Sequence, residues 1–176
     1  LYKMSKRAGN FILMDEILDE IGADALRFIF LSKKCDTHLE FDIETLKKQD
    51  SSNPVFYVNY AHARIYQVFA RANKSFESVL NANFESLNEE GANLLFEALN
   101  LHAILQSAFE ERALQKIADY LKSLAAAFHK FYAENKVVGS ANEDSLLKLF
   151  AVVALSIKTA LSIMGIEAQK KMVQES

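Results

Sequence analysis

The stretch SSNPVFYVNYAHARIYQVFARANK, residues 51–74, decides the fold of this chain. The polar residues Ser-Ser-Asn at 51–53 can cap a helix, and Pro54 suits the first helical position. Beyond Pro54 no Gly or further Pro interrupts the segment through Lys74, which predicts one long helix. Because this is the clearest break in the sequence, we place a boundary between residues 52 and 53.

Downstream of this helix the sequence stays helical. No stretch alternates in the way that would indicate a strand, and Gly and Pro are scarce. Gly139 separates two of the helical segments, and Gly165 closes the last one. We predict helices over residues 88–100, 102–112, 113–136 and 143–164. The predicted fold class is therefore all-α, with a helical bundle formed by residues 53–176.

The first 52 residues predict shorter, mixed elements in front of that bundle. Gly22 is a typical residue just beyond a helix end, and Asp42 is a typical N-cap. We predict a short strand at 11–13, helices over 15–20 and 24–34, an extended stretch at 38–41, and a helix after Asp42 that carries Leu46. Asp24 and Arg27 are expected to cap and pair locally within this segment.

Composition limits the classes of function. Half of the residues are hydrophobic and 24% are charged, the balance of a soluble globular protein. The net charge of −3 excludes a protein that holds nucleic acid by bulk electrostatics alone. Cys35 is the single cysteine, so no disulfide framework forms, which fits a reducing, cytoplasmic setting. The opening residues carry charge at once and are not expected to be a signal peptide.

One apolar stretch, residues 146–164, requires a test against a membrane span. Lys148 and Lys158 interrupt it, whereas a spanning helix needs about 20 mostly apolar residues. We predict a buried core helix and no membrane partner.

The long helix after Pro54 has two distinct faces. Steps of 100° per residue place an apolar face, Val58, Ala61, Ile65, Val68, Phe69 and Ala72, beside a polar sector, Tyr57, Tyr60, Arg64, Gln67, Arg71 and Lys74. Tyrosines among cations suit a single-stranded nucleic-acid loop, because rings stack on bases and cations meet phosphates. The alternative is that the tyrosines seal the edge of the core beside solvated cations, and the pattern alone favours it.

The segment 113–136 predicts a second amphipathic helix. Its buried side is formed by Leu114, Ile117, Leu121, Leu124, Phe128 and Phe131. Tyr132 lies at the edge of that side, next to His129 and Lys136, and would have a packed ring with a wet hydroxyl. The histidines have no metal-ligand spacing with Cys35, so no metal site is predicted. His62 lies opposite the tyrosines and is predicted to be a packing residue.

The short motif Lys3-Met4-Ser5-Lys6-Arg7 is the sharpest candidate for chemistry. Two lysines three residues apart in a loop can place two ammonium groups on one polyphosphate, where charge grows as pyrophosphate leaves. The alternative is an ordinary solvated basic loop.

Lys-Met-Ser-Lys-Arg resembles the Lys-Met-Ser-Lys-Ser loop of class I aminoacyl-tRNA synthetases, with Arg7 in place of the final Ser. Further blocks resemble arginyl-tRNA synthetases in family order. They are AGNFILMDEILDEIGADALRFIFLSKKCDTHLEFDIE after the loop, NPVFYVNYAHARI at 53–65, LAAAFHKFYAENKV at 124–137 and MGIEAQKKM at 164–172. Related class I enzymes for cysteine or methionine share the loop but lack the YAHAR and FHKFY blocks.

The resemblance implies part of an arginine–tRNA ligase. Residues 1–52 would be the C-terminal strip of its catalytic domain and residues 53–176 its helical anticodon-binding domain. Lys3 and Lys6 would be catalytic, and Lys3, Met4, Ser5 and Lys6 would contact ATP, with Mg²⁺ accompanying it. Anticodon contacts would come from Tyr57, Tyr60, Arg64, Arg71, Tyr132 and Met172. The implied partners are arginine, ATP and the tRNA for arginine, bound by a monomer.

The His-Ile-Gly-His-like signature of class I synthetases does not occur in these residues, so we expect a fragment that is inactive alone and holds no cofactor. A different class of function stays open, namely a helical module that binds proteins through the face from Tyr57 to Arg64. Salt-dependent binding to tRNA but not to proteins would separate the two. A nucleotide-transfer enzyme is disfavoured because no phosphate-cradling glycine loop is present.

Overall fold

A computed structural model describes residues 13–39, 42–84 and 87–172. Within these ranges the chain contains helices and no strand. The helices are α1 (Met14–Leu31), α2 (Ile43–Lys47), α3 (Pro54–Ala72), a 3₁₀ helix (Glu77–Val79), α4 (Glu89–Leu99), α5 (Leu101–Glu110), α6 (Gln115–Glu134) and α7 (Glu143–Ile163). The all-α fold class predicted from the sequence is confirmed. The strand predicted at 11–13 falls largely outside the described residues, as does half of the extended stretch at 38–41.

Helix α1 consists of two helical segments that meet at Gly22. This residue has φ 77° and ψ 161°, a backbone conformation that L side chains rarely adopt. The break matches the two helices predicted on either side of Gly22. The second segment ends at Leu31 rather than at residue 34, because Ser32 caps it with a hydroxyl that donates to Ile29 O at 2.8 Å.

Arg27 contacts more than its predicted local partner. Its Nη1 lies 3.5 Å from Asp24 Oδ1, as expected for residues three apart on a helix. The same nitrogen also donates to the carbonyl oxygen of Gly165 at 2.9 Å. The predicted local pair is present, and Arg27 in addition joins α1 to the chain that follows α7.

Asn53 fixes the start of α3. Its Oδ1 accepts hydrogen bonds from the backbone N–H of Val55 at 3.1 Å and of Phe56 at 3.2 Å. Its Nδ2 donates to the carbonyl oxygens of Leu46 at 2.7 Å and Lys48 at 3.0 Å. One buried amide thus caps α3 and binds the end of α2, so the chain enters α3 at a fixed angle.

The core lies where α3, α6 and α7 pack together, with α4 against α6 and α7. The apolar face predicted for α3 is buried through Phe69, and Ala72 is partly buried. The face predicted for α6 is buried except for Leu114, which precedes the helix and is 49% exposed. Leu114 was wrongly assigned because the helical period does not show where the helix begins.

Helix α7 is the central element of the bundle. By length and composition alone it is apolar enough to cross a membrane, but most of that apolar window is buried inside the protein. Its buried residues face α3, α4 and α6. We therefore interpret α7 as the core helix that the sequence predicts.

Replacing Asn53 by Ala should lower the free energy of unfolding by about 2–4 kcal/mol. The loss combines a helix cap, about 1 kcal/mol, with buried carbonyl groups left without a partner, about 1–3 kcal/mol. Urea unfolding followed by circular dichroism measures the change. Asn88→Ala is the matched control, because Asn88 caps α4 through a single bond to Gly91 N and should cost only about 1 kcal/mol. Equal losses in the two variants would contradict the double role of Asn53.

Candidate functional site

A cavity of about 450 Å³ lies between the start of α3, α6 and the tail, which we define as residues 165–172. Its lining residues are Gln49, Asp50, Ser51, Phe56, Tyr57, Tyr60, His129 and Met172. Three of the site residues that the sequence predicts, Tyr57, Tyr60 and Met172, therefore meet at one cavity although Met172 is more than 100 positions away from the tyrosines.

His129 connects the two tyrosines. Its ring centroid lies 4.7 Å from that of Tyr57 and 5.5 Å from that of Tyr60, with which it stacks at 28°. Its Nε2 lies 3.4 Å from the carbonyl oxygen of Tyr57. Because a carbonyl only accepts, Nε2 carries the hydrogen in this contact, and the neutral ring keeps Nδ1 as an acceptor.

The charge state of His129 follows from its surroundings. Burial lowers the pKa of His129 and the positive charge of Arg64 lowers it further, while the hydrogen bond to Tyr57 opposes them. The imidazole is therefore neutral at pH 7. Sequence reasoning noted His129 beside Tyr132 but did not assign it to the site; its position three residues before Tyr132 on α6 was the available signal.

Arg64 joins the tyrosine of α3 to the tyrosine of α6. Its Cζ lies 4.7 Å from the ring centroid of Tyr60 and 5.4 Å from that of Tyr132, both within cation–π range. Its Nε is buried and has no hydrogen-bond partner among the described residues. We call Tyr57, Tyr60, Arg64, His129 and Tyr132 the aromatic–arginine face.

Tyr132 is the anchored member of that face. Its ring stacks on Phe128 at 6.0 Å and meets Phe150 edge-on at 6.1 Å. Its hydroxyl accepts from Arg71 Nη1 at 3.5 Å. The ring is thus packed and the hydroxyl reaches the surface, as predicted, and Arg71 is tied to the face through this oxygen.

Lys74 is not a free cation beside the tyrosines, although the sequence places it in the same polar sector of α3. Its Nζ lies 2.6 Å from Glu143 Oε1 and also pairs with Asp144, because the end of α3 meets the acidic first turn of α7. These two carboxylates compensate its charge. Gln67 is exposed and takes no part in the cavity.

His62 occupies the other side of α3, as predicted. It is 1% exposed, and its Nδ1 lies 2.8 Å from the carbonyl oxygen of Gln169 in the tail. Burial lowers the pKa of His62, and the positive charges of Lys158 and Lys170 act in the same direction.

The predicted phosphate-contacting loop, Lys3, Met4, Ser5 and Lys6 with Arg7, lies outside the described residues. Its roles stay predictions. Across 13–39, 42–84 and 87–172 the structure contains no group of three or more His, Cys, Asp or Glu side chains that could hold a metal ion.

Residues 58–172 match the family described as the DALR anticodon binding domain. Over 97% of its length the chain is 75% identical to the arginine–tRNA ligase of Campylobacter jejuni subsp. doylei and 71% identical to that of Campylobacter lari. The chain spans 32% of the length of each of these relatives.

Solved structures agree with this match. A Campylobacter jejuni protein provisionally described as an arginyl-tRNA synthetase is 72% identical, with a TM-score of 0.91 over 97% of this chain and 37% of that one. An arginyl-tRNA synthetase from Thermus thermophilus shares the fold, with a TM-score of 0.75 over 95% of this chain and 29% of that one, at 21% identity.

The two buried histidines predict a pH dependence of stability. In the folded chain the pKa of each histidine lies below the ordinary value of 6.5. At a pH between the folded pKa and 6.5, the histidine is therefore protonated in the unfolded chain and neutral in the folded chain. Stability is complete above about pH 7 and falls as the pH drops through 6.5, by at most about 1.4 kcal/mol per pH unit for each histidine. Urea unfolding at pH 7.5 to 5.5 measures this slope.

Replacing both His62 and His129 by Asn should flatten the slope between pH 7 and 5.5. The exposed His102 supplies the control, since His102→Gln should leave the slope unchanged. A parent chain whose stability does not change over this interval would contradict the burial of the two neutral rings.

Proposed function

The chain belongs to the DALR anticodon binding domain family, and on that premise we propose that its aromatic–arginine face and the adjoining cavity bind the anticodon loop of a tRNA. The observation that carries the proposal is the meeting of Tyr57, Tyr60, His129 and Met172 around one cavity. The unstacked bases of an RNA loop are recognised by stacking on aromatic rings and by hydrogen bonds to their edges, and this cavity offers both.

The size and chemistry of the cavity suit one splayed base. Pockets for small ligands measure about 300–1,000 Å³, and this one is about 450 Å³. Tyr57 and Tyr60 provide aromatic rings, and Met172 provides a flexible apolar side chain in the same lining. The Nδ1 acceptor of neutral His129 is suited to an amino group on a base edge.

Arg64 and Arg71 provide the local positive charge that the net charge of −3 does not. The guanidinium of Arg64 lies against two rings, so little side-chain entropy is lost when it meets a phosphate or a base. Arg71 is exposed about two turns beyond Arg64 along α3 and would meet the backbone of the same loop. This arrangement favours RNA over a protein partner, which remains the alternative occupant of the face.

We place the chain in a longer arginine–tRNA ligase, because its relatives carry that name and are three times as long. The tRNA would be the one for arginine. Residues 1–52 would be the last strip of the catalytic domain, and residues 53–176 the anticodon-binding domain.

The loop at the start of the chain would serve the catalytic domain. Lys3 and Lys6, with Met4 and Ser5, would contact the phosphates of ATP, which is used with Mg²⁺. By itself the chain would hold no ATP and activate no arginine. The longer protein would be a cytoplasmic monomer.

Tyr60→Ala should weaken binding of the tRNA for arginine by roughly 5- to 150-fold, because a lost base–aromatic stack costs about 1–3 kcal/mol. Tyr60→Phe should bind like the parent, since it keeps the ring. The measurement is the affinity of the purified chain, with circular dichroism to confirm folding. If Tyr60→Ala binds the tRNA as tightly as the parent, the tRNA is recognised by another part of the chain and not by this face.

The companion variant Arg64→Ala tests the charge. It should lower the slope of log affinity against log salt by about 0.7–0.9, the equivalent of one phosphate contact. Lys158→Ala removes a cation from α7 on the side of His62, away from the cavity, and should change neither affinity nor slope. If the slope for tRNA binding is unchanged in Arg64→Ala, or if tRNA binding does not depend on salt, the face does not contact phosphates. That result would favour a protein as the partner of this face.

In the longer enzyme, Lys6→Ala should slow adenylate formation by about 10²–10³, the usual effect of removing one donor to a developing negative charge. Affinity for tRNA should stay unchanged because the anticodon face is intact. Single-turnover adenylation measures the rate. A loss of less than about tenfold, or roughly 1.4 kcal/mol, would make Lys6 a bystander.

A further inference from the structure

We infer that Asn59 and His62 are positioning residues, which grip the backbone of Gln169 and thereby hold Met172 at the cavity. The inference deepens the proposed function and rests on it. Neither residue lines the cavity to which Tyr57 and Tyr60 contribute. Each would therefore affect a ligand in that cavity only through the position of the tail.

The grip is made by two hydrogen bonds to one residue. The backbone N–H of Gln169 donates to Asn59 Oδ1 at 2.9 Å, and His62 Nδ1 donates to the carbonyl oxygen of Gln169 at 2.8 Å. Asn59 is 5% exposed and His62 is 1% exposed. Buried polar groups are costly unless they are hydrogen-bonded, and here the tail supplies the partner for Asn59 Oδ1 and His62 Nδ1. His62 Nε2 is buried with no hydrogen-bond partner among the described residues, so the bond to Gln169 is the one that holds this ring.

Gln169 is the hydrogen-bonded anchor of the tail that lies nearest to Met172 among the described residues. The next residue adds a weaker contact, since Lys170 Nζ lies 5.5 Å from the ring centroid of Tyr66. The tail begins at Gly165, whose carbonyl accepts from Arg27, and Ile166 is buried in the core. Met172 lies three positions beyond Gln169, a reach of at most about 10–11 Å. The position of Gln169 therefore limits where the side chain of Met172 can lie, whereas the anchors at Gly165 and Ile166 are twice as far away or more.

The two tyrosine rings and the anchor of Met172 are then set by one helix. Tyr57 and Tyr60 project from α3 into the cavity, while Asn59 and His62 project from the same helix toward the tail. Because the two rings and both bonds to Gln169 come from one helix, the distance of Met172 from the rings is restricted before a ligand binds. Supporting hydrogen bonds of this kind help to hold the residues of a binding site in their working geometry.

A double-mutant cycle tests the inference on the 176-residue chain with the tRNA for arginine. Met172→Ala should weaken binding about 2- to 12-fold, the range for a sulfur–aromatic contact of about 0.3–1.5 kcal/mol. His62→Phe keeps a ring and removes the donor, so it should weaken binding by the same factor. The double variant should bind no more weakly than either single variant, because both changes remove the same contact.

Rescue by His62→Asn separates positioning from general packing. The Asn amide nitrogen occupies the place of His Nδ1, so this variant keeps the donor to Gln169 and should bind like the parent. Effects of His62→Phe and Met172→Ala that multiply in the double variant would overturn the inference. The inference would also be overturned if His62→Phe binds tRNA as tightly as the parent while Met172→Ala binds it more weakly.

Hydrogen exchange on the unmodified chain covers the case in which His62→Phe does not fold. The Gln169 amide, which donates to Asn59, should exchange at least about tenfold more slowly than an amide in an unstructured chain. Exchange at the unstructured rate would overturn the grip itself. If the parent chain does not bind tRNA, the proposed function fails, whereas a slow Gln169 amide would show that the tail is still held; the two failures are therefore distinguishable.

Discussion

The burial of one face of α3 against α6 and α7 is the constraint on which the rest of the structure depends. Val58, Ile65 and Val68 are almost fully buried on this face, and burying a side chain of this size stabilises the fold by about 1.5–3 kcal/mol. Rotation of α3 about its axis would expose them. Tyr57, Tyr60 and Arg64 are consequently held at the rim of the core, where their rings and cation remain accessible, and Asn53 fixes where the helix begins.

The same helix distributes its polar groups among three partners. Its first turns meet α6 through His129, its buried polar residues hold the tail, and Lys74 at its end pairs with the acidic start of α7. Only part of the positive charge on α3 therefore remains available to a ligand. Under the proposed function, an acidic chain can offer a site for RNA because recognition would depend on rings, a neutral imidazole acceptor and one or two arginines, rather than on a broad positive surface.

Sequence reasoning succeeded where the physics is local. The helix α3, its cap, its two faces and the break at Gly22 follow from capping chemistry and helical period, which need no knowledge of the neighbours. It failed where distant segments meet. The carboxylates that pair with Lys74, the bond from Arg27 to Gly165, and the placement of His129 between two tyrosines depend on tertiary packing. Leu114 was misplaced because a period does not mark the first residue of a helix.

The central claim is that an RNA loop enters the cavity beside α3, and methionine methyl groups test it most directly. The chain has four methionines, of which Met172 lines the cavity, Met164 is buried and Met14 is exposed at the start of α1. With ¹³C-methyl-labelled methionine, addition of the anticodon stem-loop of the tRNA for arginine should shift the Met172 signal strongly, through the ring current of a stacked base. Met14 and Met164 should stay unchanged. Saturating RNA that leaves the Met172 signal in place would contradict the account.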